Sequence, residues 1–196
     1  MTDRSAVIER TTSETKVRVG LSLDGGRVQV DTGVPFLDHM LDQVGRHGHL
    51  GLEVEAHGDL EVDAHHTVED VGLAFGSALS TAVGDKGGTR RYGDSLVPME
   101  ESLTQVALDL SGRGLLVYEA ELASERIGVF EVYLVREFFH AVARSGGITI
   151  HVRLLRSDNA HHAVESVFKA FARALGDAVA LDPRADGQIP STKGTL

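Results

Sequence analysis

Two short stretches hold the residue types best able to do chemistry. They are His65-His66-Thr67-Val68-Glu69 and His161-His162-Ala163-Val164-Glu165, and they lie 96 residues apart in a chain of 196. Both read His-His-x-Val-Glu. On a helix each residue turns by about 100°, so with His65 at 0° His66 falls at about 100° and Glu69 at about 40°. Two imidazoles and a carboxylate then share one sector of a helix face. That is a donor set for a first-row transition metal. One copy could be a chance grouping of solvated polar residues. Two copies at half the chain length are hard to explain that way.

A second polar set precedes the first pair. His39, Gln43 and His47 are spaced i, i+4, i+8, which aligns them on one side of a helix. Such a stripe is ordinarily solvated, and its closeness in sequence to the His-His stretch is what makes it a candidate. Arg90, Arg91, Arg113 and Lys193 all fall at expected turns or in the tail. There they could converge on a phosphate, with Ser191 as a hydroxyl donor. Taken singly, each is an ordinary surface cation.

The elements that must position these residues follow from periodicity. Val17, Val19, Leu21 and Leu23 alternate with Arg18, Gly20 and Ser22, which predicts a strand over residues 6–23. Asp24-Gly25-Gly26 predicts a hairpin turn, with Val28-Gln29-Val30 as the return strand. Pro35 suits a first helical turn, so a helix is expected over 36–47. A strand follows over 50–56, with Leu60-Glu61-Val62 as its short partner, and the first His-His helix runs over 64–83. In the second half, strands at 101–110 and 115–122 are expected to form a hairpin across Ser111-Gly112-Arg113-Gly114. A helix over 130–143, a strand over 148–155 and the second His-His helix over 159–179 come next. An irregular tail covers 182–196.

The order repeats, which marks an internal duplication. The fold class is α+β: antiparallel sheets with helices packed on one face, in fused halves 1–88 and 89–196. Duplication also predicts counterparts. His39 precedes His65 by 26 residues, and Glu137 precedes His161 by 24. Glu137 thus matches His39, with His140 one turn further along as the alternative. His39, His65, His66, Glu69, Glu137, His161, His162 and Glu165 are too many ligands for one ion. They suggest two pseudo-equivalent sites, each His pair split between them. The mixture of imidazoles and carboxylates, with no thiolate, fits Mn, Fe, Co or Zn better than Ca or Mg, and octahedral geometry would favour Mn²⁺.

Whole-chain properties narrow the function classes. The net charge of −10 argues against nucleic acid as a partner. It leaves room for a small phosphorylated ligand in a local basic pocket. No apolar run approaches the roughly 18–20 residues that span a bilayer. The start, Met1-Thr2-Asp3-Arg4-Ser5, lacks a signal-peptide pattern. The absence of cysteine removes any disulfide framework. A cytoplasmic location is the expectation.

Five motifs in order resemble the imidazoleglycerol-phosphate dehydratase family along essentially the whole chain. They are Thr32-Gly33-Val34-Pro35-Phe36-Leu37-Asp38-His39-Met40, Asp63-Ala64-His65-His66-Thr67-Val68-Glu69-Asp70, Asp109-Leu110-Ser111-Gly112-Arg113, Asn159-Ala160-His161-His162-Ala163-Val164-Glu165 with Lys169, and Pro190-Ser191-Thr192-Lys193-Gly194. The resemblance implies a duplicated half-domain of the ribosomal protein S5 domain 2-like kind. It implies assembly into a 24-mer with active sites at subunit interfaces, each with two Mn²⁺. The implied reaction is dehydration of D-erythro-imidazole glycerol phosphate to imidazole acetol phosphate in histidine biosynthesis, through a metal-bound imidazolate.

By the same resemblance, Glu14, Glu165, His65 and His162 form the catalytic set. Glu14 reaches the substrate from a neighbouring subunit, and Glu165 is a metal ligand or shuttling carboxylate. Gln43, His47 and Lys169 contact the substrate chain, and Arg91, Arg113, Ser191 and Lys193 hold the phosphate. Many family members carry His where this chain has Glu137. Two other classes compete: a non-catalytic metal-binding cage, and a dinuclear phosphate-ester hydrolase. An intact phosphate-holding set argues against the first, and paired histidines in place of Asp bridges argue against the second.

Overall fold

The computed structural model describes residues 4–122 and 124–194. The start of the expected first half and the last two residues of the expected tail lie outside that description. The first half contains β1 (Ser5–Thr11), β2 (Thr15–Ser22), β3 (Val28–Asp31), α1 (Pro35–Gly48), β4 (Gly51–Gly58) and α2 (His65–Val83). The second contains β5 (Tyr92–Met99), β6 (Ser102–Asp109), β7 (Leu115–Glu119), the small ribbon β8 (Arg126–Ile127) and β9 (Phe130–Glu131), α3 (Tyr133–Gly146), β10 (Thr149–Arg156) and α4 (Ala160–Val179).

The two sheets have the same topology, β1-β2-β4-β3 and β5-β6-β10-β7. In each, three strands are antiparallel and the last edge strand runs parallel to its neighbour. Apart from the β8–β9 ribbon and a 3-10 turn at Pro183–Ala185 in the tail, the halves match element for element, as a duplicated α+β fold requires.

Several strand partners differ from expectation. Residues 6–23 are not one strand. The chain turns at Thr12–Glu14, and β1 folds back on β2, pairing Thr11 with Lys16. Val28–Asp31 does not return along β2. It passes outside β4 and pairs with it in parallel, Val28 opposite Leu52. Leu60–Val62 forms a turn, closed by the Val62 N–H donating to the Asp59 carbonyl at 2.8 Å. The expected hairpin across 111–114 is likewise absent, because β7 pairs in parallel with β10. The helix expected from residue 130 starts at Tyr133, since Phe130 and Glu131 are taken by the ribbon. Parallel pairing in both halves arises from a strand–helix–strand unit, β3–α1–β4 and β7–α3–β10, which needs a helical crossover.

Each sheet packs α1 and α2, or α3 and α4, on one face. The helices of the two halves meet, α2 against α3 and α1 against α4. Five phenylalanines fill this helical layer: Phe75 on α2, Phe138 and Phe139 on α3, and Phe168 and Phe171 on α4, all fully buried. Their ring centroids lie 4.9–6.4 Å apart in tilted and edge-to-face pairs, a favourable aromatic packing. Gly72 and Gly76 let α2 approach α3 closely. A Cβ on Gly76 would lie 2.6 Å from the Val142 carbonyl oxygen.

Candidate active site

α1 and α4 lie side by side, and each brings a polar face to their shared rim. His39 stands at the second turn of α1, where Pro35 starts the helix. His161 opens α4, whose N-cap Asn159 accepts from the His161 backbone N–H at 2.9 Å. That cap fixes the helix start and so the direction of the imidazoles. His39, His161 and Glu165 offer three donor atoms within 4.8 Å of one another. His39 Nε2 is 3.8 Å and His161 Nε2 3.3 Å from Glu165 Oε2. Donors bound at about 2.1 Å to one ion sit roughly 3.0–3.5 Å apart, so this set fits a transition metal after small adjustments.

Glu165 is only 7 % exposed. Burial works against its charge, but the Lys169 ammonium 2.7 Å from Oε1, with His39 and His161 nearby, outweighs it and keeps the carboxyl below its usual range. One oxygen is therefore held by Lys169 and the other faces the histidines. On the next turns of α1, His47 Nε2 and Gln43 Oε1 are 3.0 Å apart. Burial, with help from Lys169 and Arg173, pushes the His47 imidazole below its ordinary value.

The second half-site is less complete. By the duplication, His65 and Glu69 on α2 correspond to His161 and Glu165, and Glu137 on α3 corresponds to His39. α3 does reach the start of α2: the His65 ring stacks on Tyr133, one turn before Glu137, at 6.1 Å. Yet among the described residues only the His39–His161–Glu165 group brings three donors within 4.8 Å. His140 is exposed.

The second histidines of each pair share a different arrangement. His66 Nδ1 faces Asp59 Oδ2 at 3.0 Å, and His162 Nδ1 faces Glu101 Oε2 at 2.9 Å. A carboxylate on Nδ1 orients the ring and presents Nε2 outward, the usual support for a metal-binding imidazole. The Asp59 hydrogen bond raises the basicity of His66, and His162 holds the Glu101 carboxyl down at about 2. Glu14, in the β1–β2 turn, is half-exposed and 3.7 Å from His66 Nδ1.

The expected phosphate residues do converge. Arg91, Arg113, Ser191 and Lys193 line one open concavity of about 780 Å³ together with Ser111 and Pro190. Arg90 is not among its lining residues; it faces Asp177 at 3.7 Å. Arg91 is also a structural tie. Its Nε and Nη2 donate to Asp109, at 2.7 and 3.1 Å, and its Nη1 donates to the Pro190 carbonyl at 2.8 Å. Of the five guanidinium N–H groups, two remain for a ligand. The tail is thereby fastened where Ser191 and Lys193 can face Arg113.

Asp59, Glu101 and Asp109 are not legible as site residues in the sequence. Glu101 leaves one usable signal, since it precedes β6 as Glu14 precedes β2. Asp59 carries no spacing signature, and Asp109 opens the Asp109-Leu110-Ser111-Gly112-Arg113 motif without its tie to Arg91 being visible there.

Comparison with known proteins agrees with the motifs. Residues 32–175 match the family model for imidazoleglycerol-phosphate dehydratase. The chain is 58 % identical over 194 residues to the imidazoleglycerol-phosphate dehydratase of Burkholderia vietnamiensis, covering 98 % of this chain and 100 % of that one. It is 55 % identical over 194 residues to that of Bordetella petrii, with the same coverage. Among solved structures, imidazoleglycerol-phosphate dehydratase from Staphylococcus aureus superposes with a TM-score of 0.84 at 39 % identity, over 91 % of this chain and 99 % of that chain. IGPD from Pyrococcus furiosus in complex with (S)-C348 superposes with a TM-score of 0.84 at 32 % identity, over 96 % and 100 %.

Proposed function

The chain belongs to the imidazoleglycerol-phosphate dehydratase family, the hydro-lyases of histidine biosynthesis, and from that premise we propose that it works with two Mn²⁺ per active site. The substrate is D-erythro-imidazole glycerol phosphate and the product imidazole acetol phosphate. The observation that carries this reading is the pairing of two features in one chain: the donor trio His39, His161 and Glu165, and the basic concavity of Arg91, Arg113, Ser191 and Lys193. An imidazole at one end of a molecule and a phosphate at the other would use both.

In this reading His39, His161 and Glu165 hold one ion. His65, Glu69 and Glu137 would hold the other, with His66 and His162 as further donors. When bound, the ions supply Lewis-acid stabilisation of negative charge on the imidazole ring. The chain's own residues do the rest. Arg113, Lys193 and Ser191 grip the phosphate, and Arg91 adds its two spare N–H groups. Gln43, His47 and Lys169 bind the carbon chain. Glu14 of a neighbouring subunit moves protons at the carbon chain as a general acid–base group, and Lys169 holds Glu165 ionised among the donors. One water leaves, and the resulting enol becomes the ketone.

The trio draws on both halves, so residues 1–88 and 89–196 act as one unit. The scattered second set supports completion by neighbouring copies, and we assign the family's 24-subunit assembly to this chain. Exposed Leu96, Leu115, Val129, Tyr133 and Leu155 give apolar surface for such contacts. No helix among the described residues is long and apolar enough to cross a membrane, and the reading places the enzyme in the cytoplasm.

Incubation with substrate and Mn²⁺ tests the reaction class, with products followed by NMR and mass spectrometry. The expected product has lost one water and kept its phosphate. Release of inorganic phosphate would indicate a hydrolase, and an unchanged substrate would indicate a cage without activity.

A further inference from the structure

The duplication places a carboxylate at each of two equivalent turns. Glu14 immediately precedes β2 and Glu101 immediately precedes β6. Each lies beside the second histidine of its own half, yet the two are employed differently. Glu101 Oε2 takes the His162 Nδ1 contact at 2.9 Å, and its Oε1 accepts from the Asn159 N–H and the Ser102 hydroxyl, each at 3.1 Å. Both oxygens are committed. Glu14 remains 3.7 Å from His66 Nδ1, beyond hydrogen-bond distance, and its side chain is 51 % exposed.

The position at His66 is filled by Asp59, with Oδ2 at 3.0 Å and Oδ1 at 3.3 Å from Nδ1. Asp59 comes from a connection that is longer than its counterpart in the second half. Six residues, 59–64, join β4 to α2, whereas three, 157–159, join β10 to α4. An imidazole has one N–H at Nδ1, so one acceptor displaces another. We infer that Asp59 is a positioning residue that takes over His66 from the turn carboxylate and so leaves Glu14 free to face substrate. This rests on the reading of Glu14 given above.

The consequence is specific. Without Asp59, the His66 N–H has no acceptor, and Glu14 needs to move only about 1 Å to form a charge-assisted bond. His66 would stay oriented for metal, but the acid–base group would be withdrawn. Asp59→Ala, Asp59→Asn and Glu14→Gln, singly and with the Ala change combined with Glu14→Gln, test this. Asp59→Ala should bind as many Mn²⁺ per chain as the wild type. Its kcat should fall by about 10- to 100-fold, the usual scale for losing such a supporting partner, while KM changes little. Asp59→Asn, whose amide oxygen still accepts from Nδ1–H, should recover most of the loss. In the Glu14→Gln background Asp59→Ala should cost little more. A crystal structure of Asp59→Ala without metal should show Glu14 bonded to His66 Nδ1.

Wild-type kcat in Asp59→Ala, multiplicative losses in the double variant, or Glu14 unmoved in that crystal structure would each overturn the inference. Absence of turnover in the wild type would overturn the dehydratase reading instead. The crystal structure would still decide the role of Asp59.

Discussion

Glu165 must stay charged in a place that discourages charge. It is buried, and Lys169 with the two nearby histidines keeps it ionised. Lys169→Met removes the nearest of those partners. Removing one partner of a buried charge pair costs about 3–5 kcal/mol, which for a chain of this size is a fall of roughly 6–20 °C in Tm. The sign with pH also changes. In the wild type the Glu165 carboxyl lies low, so its contribution is present above the ordinary Glu range and is lost as pH falls through the lowered value. Lys169→Met raises the carboxyl relative to wild type by removing its nearest cation, so stability relative to wild type should worsen from acid to neutral pH. Calorimetry of the metal-free protein from acid to neutral pH checks this, and a constant offset would contradict it. At this scale the sequence displays residue types well. His-His-x-Val-Glu and Ser191-Thr192-Lys193 are visible as motifs, whereas Asp59 is a single carboxylate whose meaning comes only from what it touches.

Among the elements, periodicity reveals the helices and most strands but not which strands pair. Alternation tells a strand which face is buried and nothing about its neighbour. Hairpin partners are therefore the natural expectation for Val28–Asp31 and Leu115–Glu119, although the helix that follows each carries the chain across to a parallel pairing. β5 is hidden in the sequence for another reason. Its buried positions are Gly93, Ser95 and Val97, and Pro98 lies near its end. Small or polar residues on the inner face weaken the apolar signal. Gly93 is small because α4 lies on it, with the Ala174 carbonyl in the space a Cβ would need. The same logic gives a prediction for α2 and α3. Gly76→Ala forces a methyl against the Val142 carbonyl, and overpacking of this kind costs about 1–3 kcal/mol. Denaturant unfolding should show that loss, and Mn²⁺ affinity should fall with it, since α3 carries Glu137. Unchanged stability would show that the two helices separate freely.

The molecule as a whole is acidic, with a net charge of −10, yet three of its cationic side chains gather in one concavity. A local basic site in an acidic protein selects a small anion over a polyanion. Duplication supplies the rest of the logic: each donor set takes one helix from each half, α1 with α4 for one and α3 with α2 for the other. The repeated His-His-x-Val-Glu motif makes that much visible in the sequence. The division of labour between Glu14 and Glu101 is not visible there, because it depends on the three extra residues before α2. Turnover, in this reading, requires ions held by these sets. Titrating chelator-treated protein with Mn²⁺, while recording bound metal and turnover together, tests that requirement most directly. Turnover should be absent in the stripped protein and should rise to a plateau as bound Mn²⁺ reaches two per chain. Full turnover in protein shown to be free of metal would contradict the account.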